Sequence, residues 1–187
     1  MDLFRGGRFG IVTGDITKLS VDAIVNSTNP GFARGFGVDA AIHEAAGPEL
    51  LAACAELGTG AFGDARITPG FRLPAKHVVH VVAPVWRGGD QGEVEQLGKT
   101  YRAALEVASM NGVRTIAFPA ISTGAYAFPF EQAAEVAVAS CVAYAKEHAR
   151  AFKRIVWCAF TPDDAGIYRR VAERHFAAGA EEVAAKG

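Results

Sequence analysis

Positive charge is nowhere concentrated in this sequence. Its 19 Lys and Arg are spread against 20 Asp and Glu, for a formal net charge of −1. That removes the basic stripe with which proteins track DNA or RNA, so no nucleic-acid partner is expected. It also means that any phosphate bound here must be held mostly by backbone N–H groups rather than by massed cations. Cysteine is equally sparse. Cys54, Cys141 and Cys158 are odd in number, far apart and set in apolar surroundings, which argues against a disulfide framework or a zinc site. Buried free thiols in a reducing compartment are expected instead. No apolar run reaches the roughly 20 residues of a membrane span, and Met1–Gly10 is too polar and glycine-rich for a secretory leader. A cytoplasmic protein without a membrane partner is the expectation.

What is present is enough apolar residue to build a core. Of 187 residues, 50% are hydrophobic and 21% charged, which suits one domain over residues 1–187. Short β-type runs at Phe9–Thr13, Val21–Val25, Ala65–Phe71, His77–Val82, Thr115–Phe118 and Ile155–Phe160 alternate with helical spacings. The helices are predicted at Val38–Ala46, Pro48 to about Leu57, Val94–Asn111, Pro129 to about Arg150, and from Pro162 past Phe176. The Ala/Glu-rich tail from Ala177 to Gly187 is expected to fray. Strands alternating with helices predict an α/β sandwich with a largely buried sheet. No repeat or linker divides the chain.

Five short segments stand where such a fold places its binding loops, after an apolar run or at a helix start. Gly14-Asp15-Ile16-Thr17 puts a carboxylate, an acceptor only, just past a strand. Taken locally, Asp15 is equally a turn or helix cap. Asn26-Ser27-Thr28-Asn29 brackets the end of a strand with two amides, each able to donate and accept. Turn formation before Pro30-Gly31 competes with a binding role there. Gly35-Phe36-Gly37-Val38-Asp39 precedes a helix, where bare backbone and the helix dipole favour an anion. Asp39 is in any case a favourable acid in a first helical turn. Ile42-His43-Glu44-Ala45-Ala46-Gly47 continues that helix, with His43 one turn beyond Asp39 and expected to be a structural histidine hydrogen-bonded behind the loop. Ile121-Ser122-Thr123-Gly124-Ala125-Tyr126 offers a second small-residue loop feeding a helix. A diphosphate needs donors on two sides, and two such loops supply them.

In this order, over nearly the whole chain, these segments resemble the macrodomain family of ADP-ribose binders and hydrolases, and most closely its MacroD-type branch. The resemblance implies a three-layer α/β/α sandwich with a mixed, mostly parallel central sheet. It implies that Asp15 and the backbone of Ile16 read adenine, whose amino group suits a carboxylate where guanine presents a carbonyl. Phe160 matches a position that packs on adenine, although a core role competes. Asn26 and Asn29 match the family's paired amides, with Asn29 beside the distal ribose and the water. Asp39 matches the catalytic carboxylate. Gly35, Gly37 and Val38 match one phosphate loop, and Ser122, Thr123, Gly124, Ala125 and Tyr126 the other. Two departures lie in the first loop, where the family runs four glycines and this chain has Arg34-Gly35-Phe36-Gly37. Arg34 places a cation near the expected diphosphate, and Phe36 a ring where no side chain is usual. Ala127 stands where the family often has glycine.

The implied reaction is hydrolysis. Glycoside cleavage ordinarily uses two carboxylates, and the motifs supply one, Asp39. One suffices when the leaving group is itself a carboxylate, whose conjugate acid has a pKa near ~4. The resemblance therefore implies removal of mono-ADP-ribose from acidic side chains of proteins, or deacetylation of O-acetyl-ADP-ribose, with Asn29 and Asp39 catalytic. No metal or cofactor is called for, and a monomer is expected. The alternatives are a non-catalytic ADP-ribose reader and a phosphatase acting on phosphorylated ADP-ribose. A Rossmann-type dehydrogenase has little support, because the glycines do not follow the first strand at the required spacing.

Overall fold

The computed structural model describes residues 1–184. Its centre is a seven-stranded sheet in the order β1-β2-β7-β6-β3-β5-β4. The strands are β1 (Asp2–Phe4), β2 (Phe9–Thr13), β3 (Ala23–Thr28), β4 (Ala65–Pro69), β5 (His77–Val82), β6 (Thr115–Phe118) and β7 (Arg154–Ala159). The five inner strands run parallel, and the edges β1 and β4 are antiparallel to their neighbours. The inner strands are apolar runs such as Ile24-Val25 and Val78-Val79, because both faces of a parallel sheet are covered.

Helices α1 (Val38–Ala46) and α2 (Pro48–Ala55) cover one face. They pack Ile42, Ala46, Leu50 and Cys54 onto Ile24, Val78, Val82 and Val156. Helices α3 (Glu93–Met110), α4 (Phe130–Glu147) and α5 (Pro162–Ala184) cover the other. There Leu97, Tyr101, Ala104, Leu105 and Ala108, at helical spacing, meet Val79, Val81, Ile116 and Phe118. Trp157 on β7 is fully buried, with its ring stacked between Phe9 and Tyr168. The result is the predicted three-layer sandwich around a mixed, mostly parallel sheet.

Most elements end within a few residues of the sequence reading, and four differences are larger or bear on the site. The second predicted strand begins later and runs on to Thr28, so Asn26 lies inside a strand rather than at its end. Ala65–Phe71 shortens to end at Pro69, where the chain turns through Gly70. The stretch before Phe9, where no strand is predicted, contributes β1 as an edge on β2. Helix α5 continues through Ala177 to Ala184, a stretch rich in the helix formers Ala and Glu, and residues 185–187 of the expected frayed tail lie outside the described residues. All three cysteines are buried and free, as expected. Among the described residues no helix is long and apolar enough to cross a membrane.

Trp157→Ala is expected to cost about 3–5 kcal/mol, the range for a large aromatic deleted from a close-packed core. Urea titration of the variant beside wild type measures it.

Candidate functional site

Parallel strands deliver their carboxyl ends to one edge of the sheet, and in open α/β sheets that edge is where ligands bind. The loops after β2, β3, β6 and β7 meet there and line a cleft with two lobes of about 400 and 430 Å³, within the usual range for a small-molecule site. Gly37, Val38, Ala120 and Gly124 border both lobes and form the ridge between them. Every candidate residue except Asn26 lines this cleft. Asn29, Arg34, Gly35, Phe36, Asp39, Ser122, Ala125 and Tyr126 line the first lobe. Asp15, Ile16, Thr123 and Phe160 line the second.

Asp39 opens α1 and is only 2% exposed. A buried carboxylate must be hydrogen-bonded, and both oxygens are. Oδ1 accepts from Asn26 Nδ2 at 2.5 Å, and Oδ2 accepts from the Gly35 backbone N–H. The Gly35 N–H is therefore aimed at Asp39 rather than at a ligand. A side chain at Gly35 would bring its Cβ to 3.4 Å from Asp39 Oδ2. Asn26 is fully buried on β3 and stands behind the carboxylate instead of on the cleft wall. Its second amide hydrogen faces His80 Nδ1 at 3.2 Å.

Asn29 does line the lobe, but its side chain also shapes the loop that follows. Oδ1 accepts from Gly31 N at 3.0 Å, and Nδ2 donates to the Ala33 carbonyl at 2.6 Å. The turn role and a binding role coexist, since an amide nitrogen carries two hydrogens. His43 departs from expectation. It is buried 3.9 Å from Asp39, and neither ring nitrogen has a hydrogen-bond partner among the described residues. Burial holds its pKa below the ordinary value, the Asp39 carboxylate opposes that, and Arg34 reinforces it.

The two loops carry the free donors. Gly37 caps α1 in a left-handed conformation, φ 62°, that suits glycine. The first turn of a helix leaves its leading N–H groups without intrahelical partners, and these begin at Gly37 and Val38 on the ridge. Opposite them, the N–H groups of Gly124, Ala125 and Tyr126 donate to no protein acceptor among the described residues. This second loop is tightly drawn. Ser122 has φ 67° and its hydroxyl donates to the Pro84 carbonyl at 2.8 Å. Ala127 sits at φ 53°, which gives a physical reason for glycine to be common at that position. Behind the loop, Trp86 N donates to the Tyr126 carbonyl, and the Glu93 carboxylate accepts from the N–H groups of Arg87, Gly89 and Gln91.

In the second lobe, Asp15 caps a short 3-10 turn at Ile16–Lys18. Its Oδ1 accepts from Thr17 N at 2.9 Å and Thr17 Oγ1 at 2.7 Å, leaving Oδ2 unengaged among the described residues. The Thr17 hydroxyl accordingly lowers the Asp15 pKa. The capping role is real, and it leaves an acceptor facing the lobe. Phe160 is 79% exposed, which excludes the core role, and Phe36 on the other lobe is 90% exposed.

Comparison with known proteins decides what kind of cleft this is. Residues 25–137 match the family model for the Macro domain. The chain belongs to the Macro domain family. It is 47% identical to a Klebsiella pneumoniae O-acetyl-ADP-ribose deacetylase over 86% of this chain and 94% of that protein. It is 45% identical to the Xenopus laevis ADP-ribose glycohydrolase MACROD2 over 87% of this chain and 39% of that longer protein. Among solved structures, a Trypanosoma brucei macrodomain in complex with ADP-ribose superposes with a TM-score of 0.82 at 36% identity, covering 88% of this chain and 68% of that one.

Two residues of this macrodomain's site escaped the sequence reading. His80 and Thr68 lie beneath Asn26, with Thr68 Oγ1 2.9 Å from His80 Nε2. The available signal is a histidine inside the β-branched run His77–Val82, which in sequence reads only as a strand. Burial, with His43 adding to it, lowers the His80 pKa from 6.5 to about 3. Within that window the unfolded chain binds a proton that the native histidine refuses. The stability contribution is complete above 6.5 and is lost as pH falls, at up to ~1.4 kcal/mol per pH unit. Urea midpoints between neutral pH and pH 4 are expected to fall more steeply for wild type than for His80→Asn. The variant retains the acid sensitivity of His43, whose pKa is also lowered. Equal slopes would show that His80 is not the buried titrating group.

Proposed function

We propose that this macrodomain binds ADP-ribose across the two lobes and hydrolyses its ester to acidic protein side chains, with O-acetyl-ADP-ribose as a second substrate. The observation that carries this reading is the placement of Asp39. A buried carboxylate with both oxygens fixed borders a lobe of about 400 Å³, beside the free N–H groups of two opposed loops. The loops supply donors for a diphosphate on two sides. Asp15 Oδ2 and the Phe160 ring suit adenine in the second lobe, and with adenine there the distal ribose would lie beside Asp39 and Asn29. The names of the Klebsiella and Xenopus relatives support a hydrolase acting on such linkages.

In this mechanism Asp39 and Asn29 position a water against the anomeric carbon of the distal ribose. The bond from that carbon to the side-chain oxygen breaks, and the water oxygen forms the new bond. The water's proton passes to Asp39 and then to solvent. The departing carboxylate, with a conjugate acid near ~4, needs no general acid, whereas a guanidine leaving group with a pKa above ~12 does. The lobe therefore selects its linkage through what it lacks. Arg34 and Phe36 border the distal lobe and are placed to meet the modified polypeptide. The three buried free cysteines support a reducing, cytoplasmic setting.

A reader module is the second reading, favoured by the engagement of Asn29 with its own loop and by the ring of Phe36 at the lobe. Release of ADP-ribose from a glutamate-modified protein separates the two. Wild type is expected to release it, and Asp39→Ala to lose most turnover while still binding ADP-ribose. Arginine-modified protein should resist both. Tight binding by wild type without release would make the chain a reader.

Asp15→Asn tests the adenine end. Asparagine keeps the cap on Thr17 and replaces the free acceptor by a donor. ADP-ribose affinity is expected to weaken by roughly 1–3 kcal/mol in calorimetry, the scale for a hydrogen bond to a charged group. Unchanged affinity would remove Asp15 from the site.

A further inference from the structure

We propose that His80 is a positioning residue for the Asp39 carboxylate, acting through the side chain of Asn26. The inference rests on the hydrolase reading above and names a residue that touches neither lobe of the cleft. Asn26 and His80 are directly opposite one another in the register of β3 and β5, and both are fully buried. The Asn26 amide nitrogen carries two hydrogens. One goes to Asp39 Oδ1 at 2.5 Å and the other to His80 Nδ1 at 3.2 Å. His80 Nδ1 is therefore the acceptor, so the neutral ring carries its proton on Nε2. That N–H points at Thr68 Oγ1, 2.9 Å away. The surrounding contacts add little, since Cys54 Sγ lies 3.8 Å from Nε2.

The order of protons has a consequence at the cleft. With its proton on Nδ1, the His80 ring would present an N–H to the N–H of Asn26. The amide would then turn its oxygen toward Asp39 and set two acceptors against each other. Thr68 Oγ1, which can accept as well as donate, is placed to receive the ring proton at the far nitrogen. His80 accepting at Nδ1 thus favours the amide edge that donates to Asp39, and the chain Thr68–His80–Asn26 is built on strands rather than on a loop.

The test compares wild type with His80→Leu, His80→Asn and Thr68→Val. It measures kcat and KM for release of ADP-ribose from a glutamate-modified protein, with ADP-ribose affinity on the same samples. His80→Leu is expected to lower kcat by up to roughly 100-fold, the scale of misplacing a reacting group by about 1 Å, with KM and affinity unchanged. His80→Asn, whose side-chain oxygen can accept from Asn26, should recover much of that loss. Thr68→Val, nearly isosteric, should lower kcat by a smaller factor. A folded His80→Leu with wild-type kcat, affinity that falls in step with kcat, or an asparagine variant no better than leucine would overturn the proposal. Nitrogen-15 NMR of histidine-labelled wild type decides it even if His80→Leu does not fold. A proton on Nε2 with Nδ1 bare is expected at neutral pH, and the opposite tautomer would refute the assignment. Wild type that releases no ADP-ribose removes the hydrolase reading and this inference with it. Active wild type beside an equally active, folded His80→Leu removes this inference alone.

Discussion

A carboxylate taken out of water must find hydrogen-bond donors, and much of this molecule is arranged around that requirement at Asp39. Its position at the start of α1 supplies a favourable dipole. Its donors come from two directions, the Gly35 backbone in front and the Asn26 amide behind. The frontal donor fixes the path of the loop before the helix, and thereby where Phe36 and Arg34 emerge. The rear donor ties the carboxylate to the middle of the sheet. A group anchored on both sides keeps its place while solvent or ligand changes in front of it, as the orienting role proposed for Asp39 requires.

A phosphate bound between these loops would meet backbone dipoles more than massed charge. With a formal net charge of −1, the chain has no excess of cations for an anionic ligand. It offers the unpaired N–H groups of a helix start and of the strained Ser122–Tyr126 turn. Donors of this kind belong to the backbone, so they are preorganised by the fold and require no side chain to be ordered on binding. The loop braced by Glu93 and Trp86 keeps the second set in place.

The sequence showed the fold class and the residues at the cleft because both leave local marks. Alternating β-branched and helical runs mark the layers, and Gly-x-Gly before Val-Asp marks a helix start. What it did not show was geometry that depends on pairing between strands. Asn26 reads as a loop residue until β3 is seen to extend to Thr28. His80 reads as core until β5 is seen to lie beside β3 in the register that sets it opposite Asn26. Thr68 joins them from a third strand. None of these relations has a spacing along the chain. The orphaned ring of His43 was likewise invisible, since helical position predicts proximity to Asp39 and not the absence of partners. Asp15 is the reverse case, where two local readings competed and the structure accommodates both, one on each oxygen.

The two most conspicuous aromatic rings of the cleft, Phe36 and Phe160, are almost wholly exposed, and they stand on different lobes. Any ligand long enough to occupy both lobes covers apolar surface at each end as well as polar groups between. Association would then carry a negative heat-capacity change larger than the hydrogen bonds alone imply. The occupied molecule would also show less bare ring to its neighbours than the empty one. Occupancy of the cleft thus doubles as a control on how adhesive the protein's own surface is.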